Sequence, residues 1–242
     1  MRSIDVCLSP ELISLYDIKG RIIVVIDILR ATSCMTTAFA HGVKSILPVA
    51  SLEECRKLKN EGFTCAAERD GKKEDGFDLG NSPFSYMNGA VTGKSIALTT
   101  TNGTNAIRAA KDAKMVVIGS FLNLSFLCEW LRQQEEDVIC LCAGWKNVFN
   151  LEDTLFAGAV VEKLIREFSF SSNCDSAIAS RHLYNLAKKD LYRFLENSSH
   201  RKRLEKLQIE EDISYCLTPD QTPVLPVLQG NYIVKAEVMQ QA

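Results

Sequence analysis

Histidine is nearly missing from this chain: His41, His182 and His200 are the only three in 242 residues. None lies in a loop that otherwise looks chemical, which disfavours a phosphohistidine or a Ser-His-Asp relay. The strand-turn-helix signature G-x-S-x-G is absent, and so is the nucleotide P-loop pattern G-x-x-x-x-G-K-[ST]. There is no basic excess either. Lys and Arg number 28 against 30 Asp and Glu, a net charge of −2, which argues against nucleic acid as the main partner. No apolar run approaches the roughly 18 residues of a membrane span. The opening MRSIDVCLSPEL has no apolar core and carries Asp5 and Glu11, so it is not a secretory signal and the cytoplasm is the expected location.

Cysteine, by contrast, is present nine times. An odd count in a chain without an export signal suits reduced thiols packed as small hydrophobes. Cys140 and Cys142 alternate along an apolar run and lack a second pair at zinc-ribbon spacing. Cys34 is the one thiol close to a candidate site.

The composition, 46% hydrophobic and 24% charged, is that of an ordinary globular protein with material for a sizeable core. Three segments hold most of the chemistry: IIVVIDILRATSCMTT from Ile22, IALTTTNGTNAIRAA from Ile96, and VICLCAGWKNVFNLEDTLFAGAVV from Val138. Each runs from a short Val/Ile-rich strand pattern through a polar loop into a helix pattern. In an open α/β sheet, ligands bind at loops of this kind.

The wider pattern repeats this alternation. Strands are expected at Ser3–Leu8, Ile22–Ile28, Ser45–Val49, Phe63–Ala67, Ser95–Thr99, Met115–Gly119 and Asp137–Cys142. Helices are expected at Ala31–His41, Gly103–Ala110, Leu122–Gln134 and Asp153–Phe168. Ser51 with Glu54 makes a capping box for another helix that ends at Gly62. In the helix opened by Asp153, Phe156, Val160, Leu164 and Phe168 form a buried stripe.

The stretch Glu68–Ser85 carries five acids (Glu68, Asp70, Glu74, Asp75, Asp78) and no periodicity. It is either a solvated loop or a lid that supplies metal ligands. Further on, Ser180–Phe194 is amphipathic. Ser198–Asp212 reads as an exposed helix whose HRKR cluster is a solvated face or, less simply, an anion site. Ile213–Leu217 and Gly230–Val234 read as short strands, and TPDQTPVLPV as loop or edge strand. The fold class is therefore α/β, a three-layer α/β/α arrangement around a mostly parallel or mixed sheet. It is expected to form one domain over residues 1–242, with a division into two lobes left open. Sliding the chain by 72 residues sets Asp27 on Thr99 and Arg30 on Asn102, so two similar turns would face one cleft.

Several of these residue types suit phosphate and a divalent ion. Asp27 ends an apolar strand, where a carboxylate holds a metal, acts as a nucleophile or caps the next helix. Arg30 has the planar fork that fits phosphate or carboxylate. Thr32 and Ser33 cap the helix that follows. In Thr99–Thr104, hydroxyls and the glycine permit an anion nest, and a tight turn without ligand fits equally well. Glu152 and Asp153 suit a helix dipole, or a second metal ligand beside Asp27. Such an oxygen-rich set favours Mg²⁺ over zinc.

At these residues VVIDILRATS, AERDG, DGFDLGNSP, TTTNGTNAI, CAGWKNVFNLEDTLFAGAVV and DISYCLTPDQTPVLPV together resemble the 2-phosphosulfolactate phosphatase family. The resemblance covers nearly the whole chain. It implies a Mg²⁺-dependent phosphatase that converts 2-phosphosulfolactate to sulfolactate and phosphate in coenzyme M biosynthesis, on a fold peculiar to that family. The mechanism expected on that basis places Mg²⁺ on Asp27, Asp153 and Glu68, with Asp27, Arg30 and Asp153 as catalytic residues. Thr32, Thr101, Asn102, Gly103 and Thr104 would contact the substrate phosphate, and Lys146 its sulfonate or carboxylate. Leu29 stands where a D-x-D phosphatase has its second aspartate, which favours activated water over attack by Asp27. The expected partner is a small anionic phosphoester, with neither nucleic acid nor membrane, and assembly into a homo-oligomer stays open. The competing class is a non-catalytic binding protein for a small anion.

Overall fold

The computed structural model describes residues 1–237. In chain order the elements are β1 (Ile4–Cys7), β2 (Ile22–Ile26), α1 (Ala31–Ala40), β3 (Ser45–Pro48), α2 (Leu52–Lys59), β4 (Thr64–Arg69), β5 (Lys72–Lys73), β6 (Ser95–Thr99), α3 (Gly103–Ala109), β7 (Met115–Gly119), α4 (Leu124–Arg132), β8 (Val138–Cys142), α5 (Leu151–Phe168), α6 (Asp175–Ala187), α7 (Leu191–Phe194), α8 (Ser199–Glu205), α9 (Glu210–Cys216), β9 (Pro226–Gln229) and β10 (Tyr232–Lys235). The strands form one mixed sheet in the order β1-β8-β2-β7-β9-β10-β3-β6-β4-β5.

The period-two rule explains the layers. Ile22, Val24 and Ile26 join one apolar core and Ile23 and Val25 the other. Residues of α4, α5 and α6 cover the first face, and those of α1 and α3 cover the second. The expected three-layer α/β arrangement is what the sheet and its helices form. A third, smaller core of Val49, Cys55, Cys65, Ala67, Phe77 and Ala97 packs α2 against β4 and β6. The stripe of α5 is buried at Phe156, Val160 and Leu164, and all nine cysteines are free thiols, eight of them buried.

Two parallel half-sheets make up the whole. In one, β1, β8, β2 and β7 run parallel, and in the other β3, β6 and β4 do. The antiparallel β9-β10 hairpin joins them through the pairings Val117 to Val227 and Ile233 to Ile46. Helix α1 leaves β2 in the first half and delivers the chain to β3 in the second. Helix α3 leaves β6 and returns it to β7. These two crossings bring the N-terminal ends of α1 and α3 together, and a Cβ on Gly103 would lie only 2.7 Å from the Cβ of Ala31.

Three readings are corrected by the structure. Residues 213–217 are not a strand: Ile213 and Cys216 are the buried face of α9, and Glu210, Glu211 and Asp212 fill its first turn, where acids suit the helix dipole. The stretch TPDQTPVLPV is a loop as far as Leu225, one of its two readings, but from Pro226 it enters β9, which lies inside the sheet and not at its edge. Pro226 is tolerated because it opens the strand, where a missing donor costs least. Finally, the HRKR cluster is not a solvated face throughout: His200 and Arg201 form the buried side of α8, Arg203 is half-buried, and only Lys202 is exposed.

Candidate active site

Asp27 follows the last residue of β2. Its main chain is fixed by Thr32, whose Oγ accepts from the Asp27 N–H at 3.0 Å and donates to the Asp27 carbonyl at 2.9 Å. The carboxylate then accepts from the Ala31 N–H at 3.3 Å, at the start of α1. The residues capping α1 and α3 are Arg30 and Asn102, the pair that the 72-residue offset superimposes. Both line one small pocket, with Asp27, Glu68, Asn81, Trp145 and His200. Two similar turns do face one cleft.

Glu68 comes from the end of β4. The expected structureless loop instead continues this strand and folds into a β4-β5 hairpin, pairing Glu68 with Lys73. Its carboxylate accepts from the Gly71 N–H at 2.6 Å and from the Thr101 N–H at 3.3 Å, so it ties the hairpin to the loop after β6. Arg30 is held from two sides. One Nη pairs with the buried carboxylate of Asp212, and the other donates to the Gly71 carbonyl at 2.6 Å.

Other expected site residues lie one layer behind or at the mouth. Asp153 is fully buried, and its two oxygens accept from the N–H groups of Ile28, at 2.9 Å, and Gly144, at 3.1 Å, so it stitches two of the loops together. The Thr104 amide donates to Thr100 Oγ and its hydroxyl to the Thr100 carbonyl, so Thr104 starts α3. Gly103 is where α3 touches Asp27: its missing Cβ would stand 2.9 Å from Asp27 Oδ2. Thr101 is half-buried beside Glu68. Lys146 is exposed. Its backbone N–H donates to Asn102 Oδ1 at 3.0 Å, and its Nζ faces Asp70 at 3.7 Å. Burial pushes the Cys34 thiol well up, so it stays an inert packing group.

The sequence reading set histidine aside, and the structure places one at the centre. His200, on α8, lines the pocket and its Nδ1 donates to Glu152 Oε1. Glu152 is fully buried and its other oxygen has no partner among the described residues. The Trp145 ring packs over His200 with centroids 5.4 Å apart. The only sequence signal was scarcity itself, because His200 sits in a cluster that reads as surface.

Asp27 and Glu68 thus line the pocket with Arg30 and His200, and the buried carboxyls of Glu152 and Asp153 lie behind it. Burial, reinforced by the charges of Glu68 and Glu152, pushes Asp27 from 3.8 to about 6, although the Ala31 N–H and His200 oppose the shift. Asp153 is pushed up further, by its burial and by Asp27 beside it. Asp27, Glu68 and the partnerless Asn81 Oδ1 form the hard-oxygen set that suits Mg²⁺. Among the described residues no three His, Cys, Asp or Glu side chains form a ready-made metal cage. The pocket itself holds only about 10 Å³, covered by α8 and Trp145, and opens at Arg30, Gly71 and Asn81 onto an outer cleft of about 460 Å³. No helix of the described residues is long and apolar enough to cross a membrane.

Comparison with known proteins shows the family. A model of the family described as 2-phosphosulpholactate phosphatase matches residues 7–231. A probable 2-phosphosulfolactate phosphatase of Caldanaerobacter subterraneus subsp. tengcongensis is 40% identical over 221 residues, covering 90% of this chain and 91% of that protein. One of the same description from Thermotoga petrophila is 39% identical, covering 96% and 98%. Another from Clostridium botulinum is 31% identical, covering 96% and 99%.

Proposed function

The chain belongs to the 2-phosphosulfolactate phosphatase family, and from that premise we propose that it hydrolyses the phosphomonoester of a small acidic 2-hydroxy acid, 2-phosphosulfolactate first, with Mg²⁺ as cofactor. The product, sulfolactate, is the one the family resemblance assigns to coenzyme M biosynthesis. The observation that supports this most is the convergence of Asp27, Glu68, Arg30, Asn102 and His200 on one pocket.

In this reading Asp27 and Glu68 would hold the ion, with Asn81 beside them, and Asp153 keeps the Asp27 loop in place from behind. When bound there, Mg²⁺ would balance charge on the phosphoryl oxygens and acidify the attacking water. Arg30 and Asn102 supply donors to the equatorial oxygens, where charge must be balanced during phosphoryl transfer. With Nδ1 on Glu152, the His200 Nε2 remains for the substrate. As the P–O ester bond breaks, its electron pair passes to the ester oxygen, which takes the proton from Nε2. The oxygen of the attacking water becomes the fourth oxygen of phosphate; one of its protons leaves to solvent, the other stays on the phosphate, and Nε2 regains a proton from solvent.

Phosphate release from 2-phosphosulfolactate decides the matter. The expected result is steady turnover that stops with a chelator and returns with Mg²⁺. Tight binding of the ester without release would mark an anion-binding protein instead, and release unaffected by chelator would remove the metal from the reading.

A further inference from the structure

Resting on the phosphatase reading, we propose that Arg203 is the specificity residue that binds the second acid group of the substrate, its sulfonate or carboxylate. Beside the pocket of Asp27 lies a second cavity of about 90 Å³, and the two share Gly71, Trp145, His200 and Leu204 as walls. Its volume is about that of three waters at ~30 Å³ each, enough for one small oxyanion group. Arg203 lines it, and its Nε and Nη2 are buried without a hydrogen-bond partner among the described residues.

That pair of nitrogens is the guanidinium edge that donates two parallel bonds to a planar or tetrahedral oxyanion. Leaving both unpaired in a buried place is costly, and an anion in the cavity removes the cost. The guanidinium is also fixed in direction, because its carbon lies 4.5 Å from the Trp145 ring centroid. Asp70 is the one acid lining the cavity, and its carboxylate is mostly exposed and faces Lys146. Lys146, assigned to this task by the sequence pattern, is itself mostly exposed and stands 5.3 Å from the centroid of the same Trp145 ring. A 2-phosphorylated hydroxy acid has its phosphate and its acid group on neighbouring carbons, which suits two adjoining cavities with His200 at their shared wall.

The test compares two esters in the full chain with Mg²⁺: 2-phosphosulfolactate, and isopropyl phosphate, which lacks both the sulfonate and the carboxylate. Arg203→Met is expected to cut kcat/KM for the first by about 10- to 100-fold, the range of a lost charged hydrogen-bond pair, and for the second by less than about threefold. Arg203→Lys keeps the charge without the fork, preserves the fold if Met does not, and is expected to fall between. Equal losses on both esters would overturn the proposal. The product arm separates it from the phosphatase reading. Sulfolactate, titrated calorimetrically without phosphate, is expected to bind at least tenfold more weakly to Arg203→Met than to the unaltered chain, whether or not turnover is seen. Unchanged sulfolactate affinity would overturn it too.

Discussion

Glu152 and His200 meet through Oε1 and Nδ1 at the wall of the pocket, one at the start of a long helix and the other on a short helix that covers the site. Nothing else on α8 is so placed to give a proton to a leaving alkoxide. His200→Gln is therefore expected to lower kcat for 2-phosphosulfolactate by about 10²- to 10⁴-fold, the usual share of general acid catalysis. The loss for p-nitrophenyl phosphate should be small, because nitrophenolate departs without protonation. Glu152→Gln should follow the same pattern at smaller size, since it leaves the ring present but poorly oriented. A loss independent of the leaving group, read from the two substrates side by side, would give His200 a purely structural role.

Asp27 makes stability depend on pH. Its folded-state value is raised from 3.8 to about 6, so between these limits the native chain binds more protons than the unfolded one. The Asp27 contribution to stability is then greatest below about pH 4 and is lost as pH rises through about 6. The lost amount is at most about 3 kcal/mol at 1.36 kcal/mol per pH unit. In metal-free protein, Asp27→Asn should raise the melting temperature at pH 8 and leave it nearly unchanged at pH 4, while abolishing turnover. Mg²⁺ should stabilise the unaltered chain at pH 8 and not the Asn variant. Denaturant melts across pH, with chelator and with Mg²⁺, check both signs, and equal stability of the two chains at pH 8 would contradict this account.

The contact between α1 and α3 leaves no room at Gly103. An added Cβ would lie 2.7 Å from Ala31 Cβ and 2.9 Å from Asp27 Oδ2. Gly103→Ala should destabilise by about 1–3 kcal/mol, the range for overpacking. It should also lower turnover by at least about tenfold, since displacing Asp27 by a fraction of an ångström disturbs the reacting geometry. The partner change Ala31→Gly removes one of the two clashes. The double variant should recover part of the stability, a positive coupling measurable in a double-mutant cycle. Strict additivity would mean that the helices do not touch in solution as they do here.

Most of the frame was legible because its signals are local. The strands at Ser95–Thr99 and Met115–Gly119 and the Ser51–Glu54 cap appear where their residue patterns put them. In the same way, Asp27, Arg30, Glu68 and Asn102 could be found because each ends a strand or opens a helix. The residues that were not legible depend on packing between distant segments. His200, Arg201 and Arg203 have the composition of a surface helix, and only the seating of α8 over Gly71 and Trp145 buries them. Asp153 reads as a ligand, yet which groups its oxygens meet is decided by the loops after β2 and β8. Residues 213–217 mislead because a five-residue apolar run fits strand and helix alike.

Arg30 illustrates the same dependence, since its partner Asp212, expected to end a helix over Ser198–Asp212, lies instead in the first turn of α9. Asp212 receives one Nη of Arg30 on Oδ2 and the Ser82 hydroxyl on Oδ1 at 2.9 Å. The pair is buried, so removing one charge leaves the other desolvated and unpaired, at a cost of about 3–5 kcal/mol. Asp212→Asn should therefore unfold at markedly lower denaturant than Ser82→Ala, which loses a single neutral-to-charged bond worth about 1.5–3 kcal/mol. The same change frees a positive charge beside the pocket. Inorganic phosphate should then bind the folded Asp212→Asn variant several-fold more tightly than the unaltered chain, while turnover falls because the fork is no longer aimed. Calorimetric titration with phosphate at a temperature where both chains are folded reads the effect, and an unchanged or weaker affinity would mean that Arg30 does not meet the phosphate.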